Sequence, residues 1–180
     1  MFDLKKFLEW LDKTSKGMPH TSRYHQESFS EHTIAVAYNV VLTYPTRRLY
    51  LAALLHDIGK PETLAIRNIQ GSTFYDHETH LDLVKEFLSE DDEDYDDVCD
   101  LIRCHMLPYK MKGPDPWKTI ADEKFLGLIR SHDISFVRDL LTLHLCDIKG
   151  SFSNAEKVPD NATFEKMLRN VICPSLNLEE

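Results

Sequence analysis

The sequence has no apolar run near the roughly 18 residues that a membrane-spanning helix needs, so no membrane segment is expected. Cysteines are few: Cys99, Cys104, Cys146 and Cys173 in 180 residues, with no Cys-x-x-Cys pair. This excludes a disulfide-dense secreted scaffold and offers no structural zinc site, so free thiols in a reducing compartment are expected. A cationic-then-apolar leader is missing too. Met1-Phe2-Asp3 opens an amphipathic helix, and a cytoplasmic protein is the expectation. Positive charge is short, with 21 Lys and Arg against 30 Asp and Glu, a net charge of −9. Such a body does not attract duplex nucleic acid, and an anionic ligand must be held by a local positive site. No repeat and no Gly/Ser/Pro linker divides the chain, and strand signals are scarce. One all-α domain over residues 1–180, large enough for a sizeable core, is expected.

Helical periodicity dominates. Phe2, Leu4, Phe7, Leu8 and Leu11 mark a first helix, and residues 15–29 read as a polar loop. Ser30 is taken as the N-cap of a helix to about Leu42. Pro45-Thr46 starts the next, which runs to about His56. Residues 63–75 fit a loop or a small hairpin, and a helix is predicted over 77–89. The acidic run "EDDEDYDD" (90–97) reads as a solvated helix start, with carboxylates at the positive end. Helices follow at about 95–106, 118–131, 134–149 and 162–172, with a loop over 108–116.

The nine histidines do not fall at random on this pattern. His56 continues the stripe of Leu49, Ala52 and Ala53, at steps of 7, 4 and 3. His105 stands in the same relation to Val98, Leu101 and Ile102, and Asp147 to Leu140, Leu143 and His144. Those steps share one helix face, so each polar group ends an inward stripe. His32 shares a face with Ala35, Val36 and Val40, and His77 with Leu81 and Val84. A single such histidine is usually a hydrogen-bonded core residue. Several together are satisfied most simply by a shared metal centre, because buried charges need pairing or a metal. Imidazole and carboxylate suit Mn, Fe, Co, Ni or Zn, with Mg possible through the carboxylates. On this reading His56 and Asp57 both bind metal from one helix end, and Gly59 and Pro61 stop the helix so that the site stays open.

The order His32 … His56-Asp57 … Asp147 resembles the signature of the HD-domain metal-dependent phosphohydrolases, an all-α superfamily. "ESFSEHT" (27–33) is similar to the stretch with the first ligand in the family's nucleotidases. "HDIGKP" (56–61) and "FYDHETH" (74–80) resemble the HD domain attached to bacterial tRNA nucleotidyltransferases. The resemblance spans roughly residues 20–150 and implies a compact helical domain with a central metal site. It implies that His32, His56, Asp57 and Asp147 hold a first divalent ion. It also implies that His77 and His105 complete a second, with Asp57 bridging and His80 a rival to His77. The chain lacks the long signature of the cyclic-dinucleotide branch, the insertions of the large deoxynucleotide triphosphohydrolases, and any nucleotidyltransferase or kinase domain.

The implied chemistry is metal-assisted phosphoryl hydrolysis. Asp57 and Lys60 are its candidate catalytic residues, and Lys60, Arg23 and His25 its candidate substrate contacts. Glu27 and Glu78 are candidates to orient ligand histidines, and Lys149, Arg67 and Arg103 are weaker phosphate contacts. His20, His132 and His144 read as structural or surface residues. The expected substrates are phosphomonoesters or 2′,3′-cyclic phosphates of nucleotides or RNA ends, without strong duplex binding. The alternatives are a dinucleoside polyphosphate or nucleoside triphosphate hydrolase, a non-catalytic nucleotide-binding module, and a di-iron oxygenase on the same fold. Nothing in the sequence sets the oligomeric state.

Overall fold

Helix α3 (Arg47–Leu55) is buried on every side from Leu49 to Leu55, and the fold is built around it. Thr46 caps it, its hydroxyl accepting from the Leu49 amide at 3.2 Å. A computed structural model describes residues 1–18, 27–65, 73–74, 76–107, 127 and 131–151. Around α3 lie α2 (Phe29–Thr43), α5 (Tyr95–Cys104) and α6 (Ile134–Ser151), α1 (Leu4–Gly17) packs on α2, and the short α4 (Lys60–Thr63) follows α3 in sequence. The protein is all-α. Among the described residues its strands are two-residue pieces, β1 (Leu64–Ala65) and β2 (Thr73–Phe74), paired antiparallel as in the small hairpin that the sequence allowed. Among the described residues, no helix is long and apolar enough to cross a membrane.

The longest helix contact is between α2 and α6. Gly150 makes it possible: an added Cβ would stand 2.7 Å from Cγ2 of Val36. α3 also packs on α2, α5 and α6, so three of its neighbours turn a buried face to one point near its C-terminal end.

Several elements differ from the sequence reading. The cap of α2 is Ser28, not Ser30. Ser28 and Glu31 form a reciprocal capping box, with the Ser28 amide donating to Glu31 at 2.7 Å. The Ser30 amide instead donates to the Ser15 hydroxyl. Residues 77–89 are not an α-helix but two 3-10 turns, His77–Thr79 and Val84–Glu86. The end of this segment gives its backbone to the N-terminus: Asp3 donates to the Phe87 carbonyl at 2.7 Å, and Leu88 bridges Phe2. The acidic run is only partly solvated. Arg47 forks onto Asp92 with two 2.7 Å bonds and also reaches Asp94, and the Met1 ammonium lies 2.7 Å from Asp92. The Arg47 bonds hold the Asp92 carboxyl well below the ordinary range. Pro61 sits near the start of α4, so it opens a helix where a stop was expected. Cys99, Cys104 and Cys146 are free thiols. The predicted loop at 108–116, the helix at 162–172 and Cys173 lie outside the described residues, as does the helix at 118–131 apart from Gly127 and Ser131.

Candidate metal centre

α3 runs out at Leu55, and the turn that follows carries His56 and Asp57 into the interior, 0% and 3% exposed. His32 enters from the first turns of α2, Asp147 from the last turns of α6, and His105 from the C-cap of α5. His77 arrives on the first 3-10 turn. All six side chains are buried.

They form two groups, His32–His56–Asp147 and Asp57–His77–His105. Within each, one ligand-capable atom per residue lies within 4.8 Å of the others. Asp57 joins the groups through its two oxygens. Oδ2 lies 3.4 Å from Nε2 of His32 and 3.2 Å from Nε2 of His56. Oδ1 lies 3.1 Å from Nε2 of His77 and 3.8 Å from Nε2 of His105. Oδ1 of Asp147 closes the first group, 3.1 Å from Nε2 of His32.

The ring nitrogens behind the site fix what faces it. Nδ1 of His56 donates to the Ala53 carbonyl at 2.8 Å, that of His77 to Phe74 at 3.0 Å, and that of His105 to Ile102 at 2.6 Å. A carbonyl only accepts, so each Nδ1 bears the hydrogen, and the Nε2 of each ring is the nitrogen turned inward, a lone-pair donor whenever it carries no proton. Yet Nε2 of His77 and His105 stand 3.2 Å apart, while Nε2 of His56 lies 3.3 Å from that of His32, whose tautomer no carbonyl fixes. Lone pairs facing at that distance repel unless a proton or a cation lies between them. The donor set therefore fits divalent metal, with imidazole and carboxylate as its natural ligands.

A family model for the HD domain matches residues 29–148, a span that contains all six side chains. The chain belongs to the HD domain family. No curated protein was found to match it. HD domains are in general metal-dependent phosphohydrolases, and the His and Asp groups here could hold such a metal.

In this HD domain the charges around Asp57 are strongly coupled. Burial works against ionising Asp57, but the His56 ring and the Lys60 ammonium hold its carboxyl well below the ordinary range. Burial likewise opposes a proton on His32. Hydrogen bonds to Asp147, Asp57 and Glu27 outweigh it and raise the ring well above 6.5. His105 moves the other way, pushed down to about 4 by burial and then by the rings of His77 and His56. Lys60 is buried, its Nζ 2.6 Å from Oδ2 of Asp57 and 5.3 Å from the Phe74 ring centre.

The remaining candidates separate cleanly. His77, not His80, belongs to the second group, since His80 is partly exposed and meets Glu62 at 3.2 Å. Glu27 lies 3.5 Å from Nδ1 of His32. Glu78 is 3.7 Å from Nδ1 of His77, whose nearer partner is the Phe74 carbonyl. Arg103 pairs with Asp100, and Lys149 is exposed on α6. His132 pairs with Asp100 and stacks on Phe136, as a structural residue would. Arg23, His25, Arg67 and His20 lie outside the described residues. Gly59, expected only as a helix stop, also packs so closely on the His77 turn that a Cβ there would meet the His77 carbonyl oxygen.

Proposed function

We propose that this HD domain protein hydrolyses phosphomonoesters or 2′,3′-cyclic phosphates of nucleotides or RNA ends, using two divalent transition ions such as Mn, Fe, Co, Ni or Zn. The observation that carries the reading is Asp57, whose two oxygens each face a different histidine group. His32, His56 and Asp147 are the ligands assigned to one ion and His77 and His105 to the other, with Asp57 shared. Bound metal supplies positive charge for phosphate and lowers the pKa of water to about 7.

The protein's own groups do the rest. The three Nδ1–carbonyl bonds keep the rings aimed and in one tautomer. Lys60 keeps Asp57 ionised and adds positive charge beside the incoming phosphoryl group. Arg23 and His25 are assigned to the substrate on the sequence pattern alone. The net charge of −9 favours small nucleotides or short ends over duplexes, and rates should vary only modestly with salt. The free thiols suit a reducing cytoplasm.

The test is a screen of metal-loaded protein against p-nitrophenyl phosphate, a phenyl-phosphonate diester, nucleoside mono- and triphosphates, 2′,3′-cyclic nucleotides and phosphate-ended RNA. Turnover of monoesters or cyclic phosphates supports the reading. Turnover of triphosphates alone, or of nothing, rejects it.

A further inference from the structure

Two backbone features meet at His77. The first is Gly59. Its φ of −78° is ordinary for any residue, so conformational freedom is not why glycine stands there. Space is. A Cβ at Gly59 would lie 2.2 Å from the His77 carbonyl oxygen, 2.8 Å from Cβ of His80 and 3.0 Å from the His80 carbonyl oxygen. Two of those three neighbours are backbone, so a larger residue would push the whole turn away. Gly59 also follows Asp57 by two positions, which ties that push directly to the bridging carboxylate.

The second feature is Asp76, immediately before His77. Its φ of 55° and ψ of 24° are left-handed, and it is the only non-glycine residue with positive φ among the described residues. Its carbonyl accepts from the Thr79 amide at 2.9 Å and the Thr79 hydroxyl at 2.8 Å, closing the 3-10 turn that presents His77. Its side chain is exposed and makes no capping bond, so the backbone angle is what this position contributes. Asp tolerates that angle, and a β-branched residue does not.

We propose that Gly59 and Asp76 form a two-point clamp that sets His77 against Oδ1 of Asp57, so that Asp57–His77–His105 is a sub-site that can be lost while the other is kept. The proposal rests on the two-ion reading above. His32, His56 and Asp147 are held by α2, the end of α3 and α6, and owe nothing to this turn. Gly59 and Asp76 are positioning residues, because they act through His77.

The experiment titrates the metal-free full chain with Mn²⁺ by calorimetry and counts bound ions by elemental analysis, with circular dichroism as the check on folding. Wild type is expected to bind two ions. Gly59→Ala should bind one, with the first ion weakened far less than the second. Asp76→Val, at an exposed position, should fold and weaken the second ion by about 10–100-fold, the usual scale for losing support behind a ligand. Asp76→Gly, which accepts the left-handed angle, should restore both. If folded Asp76→Val binds two ions with wild-type affinity, the clamp is overturned and the two-ion reading stands. If wild type binds fewer than two, the two-ion reading falls and the clamp with it.

Discussion

Lys60 holds its ammonium nitrogen 2.6 Å from Oδ2 of Asp57, with both side chains buried. Oδ2 is also the oxygen that faces His32 and His56. An ammonium and a metal ion at one oxygen compete for its charge, while both attract a phosphate.

Lys60→Met separates those two effects. The methionine keeps the apolar stem near Phe74 and removes the charge. The expected loss in kcat/KM is roughly 10–100-fold, the size of a charge-assisted hydrogen bond at about 1.5–3 kcal/mol. Metal affinity is expected to hold or rise. Titrating metal into both proteins and comparing kinetics checks it. A variant that loses metal first would make Lys60 a structural residue.

Asp57 and Asp147 should differ in reach. Asp57 faces both groups, whereas Asp147 belongs to the first. Asp57→Asn is expected to lower occupancy at both positions, and Asp147→Asn at one. Elemental analysis after dialysis reads this directly. Full metal content and full turnover in the double variant His56→Ala/Asp57→Ala would remove the assignment.

Acid and metal should compete at His32. In the metal-free chain its raised pKa gives a stabilising contribution that is complete below 6.5 and is lost as pH rises through the folded value. His105 does the reverse: its contribution is present above 6.5 and is lost as pH falls toward about 4. An ion that binds at His32 must displace any proton the ring holds, so metal affinity should rise with pH. Calorimetry in buffers of different ionisation heat is expected to show net proton release on metal binding. Affinity that is flat from pH 6 to 8 would contradict the His32 assignment.

Stability should depend on Arg48. Its Nε donates to the fully buried Asp139 at 2.7 Å, and its other nitrogens reach Asp97 and Ser135 at 2.6 Å. Arg48→Met strands a buried carboxylate and is expected to cost about 3 kcal/mol, at the low end for a broken buried pair. Arg48→Met/Asp139→Leu should recover part of that. Urea unfolding with an unchanged m-value gives the comparison. A loss below about 1 kcal/mol would put the pair with ordinary surface bridges.

The site was more legible in the sequence than the elements that carry it. His56, His105 and Asp147 each end an apolar stripe at helical spacing, and a period of 3.6 is readable from residue order alone. His77 faces inward as its spacing predicts, but from a 3-10 turn and not a helix. The 77, 81, 84 spacing suits a helix, and nothing local reveals that Phe87 and Leu88 give their backbone to Asp3 and Phe2. The pairings of Arg47 and Arg48 leave no local sequence signal, because their carboxylates lie 45 to 91 positions away. The Ser28–Glu31 box was written in the sequence as Ser-x-x-Glu, and the nearer Ser30 obscured it.

The carbonyls of Ala53, Phe74 and Ile102 each anchor the ring three residues further on. Each anchor comes from the same short segment as its ring, so no distant residue has to arrive for the ring to be set. Reloading should then need no search among ring orientations. The slow event becomes the ion shedding its own water, and uptake rates should rank divalent ions by how quickly they exchange hydration water rather than by how tightly they finally bind.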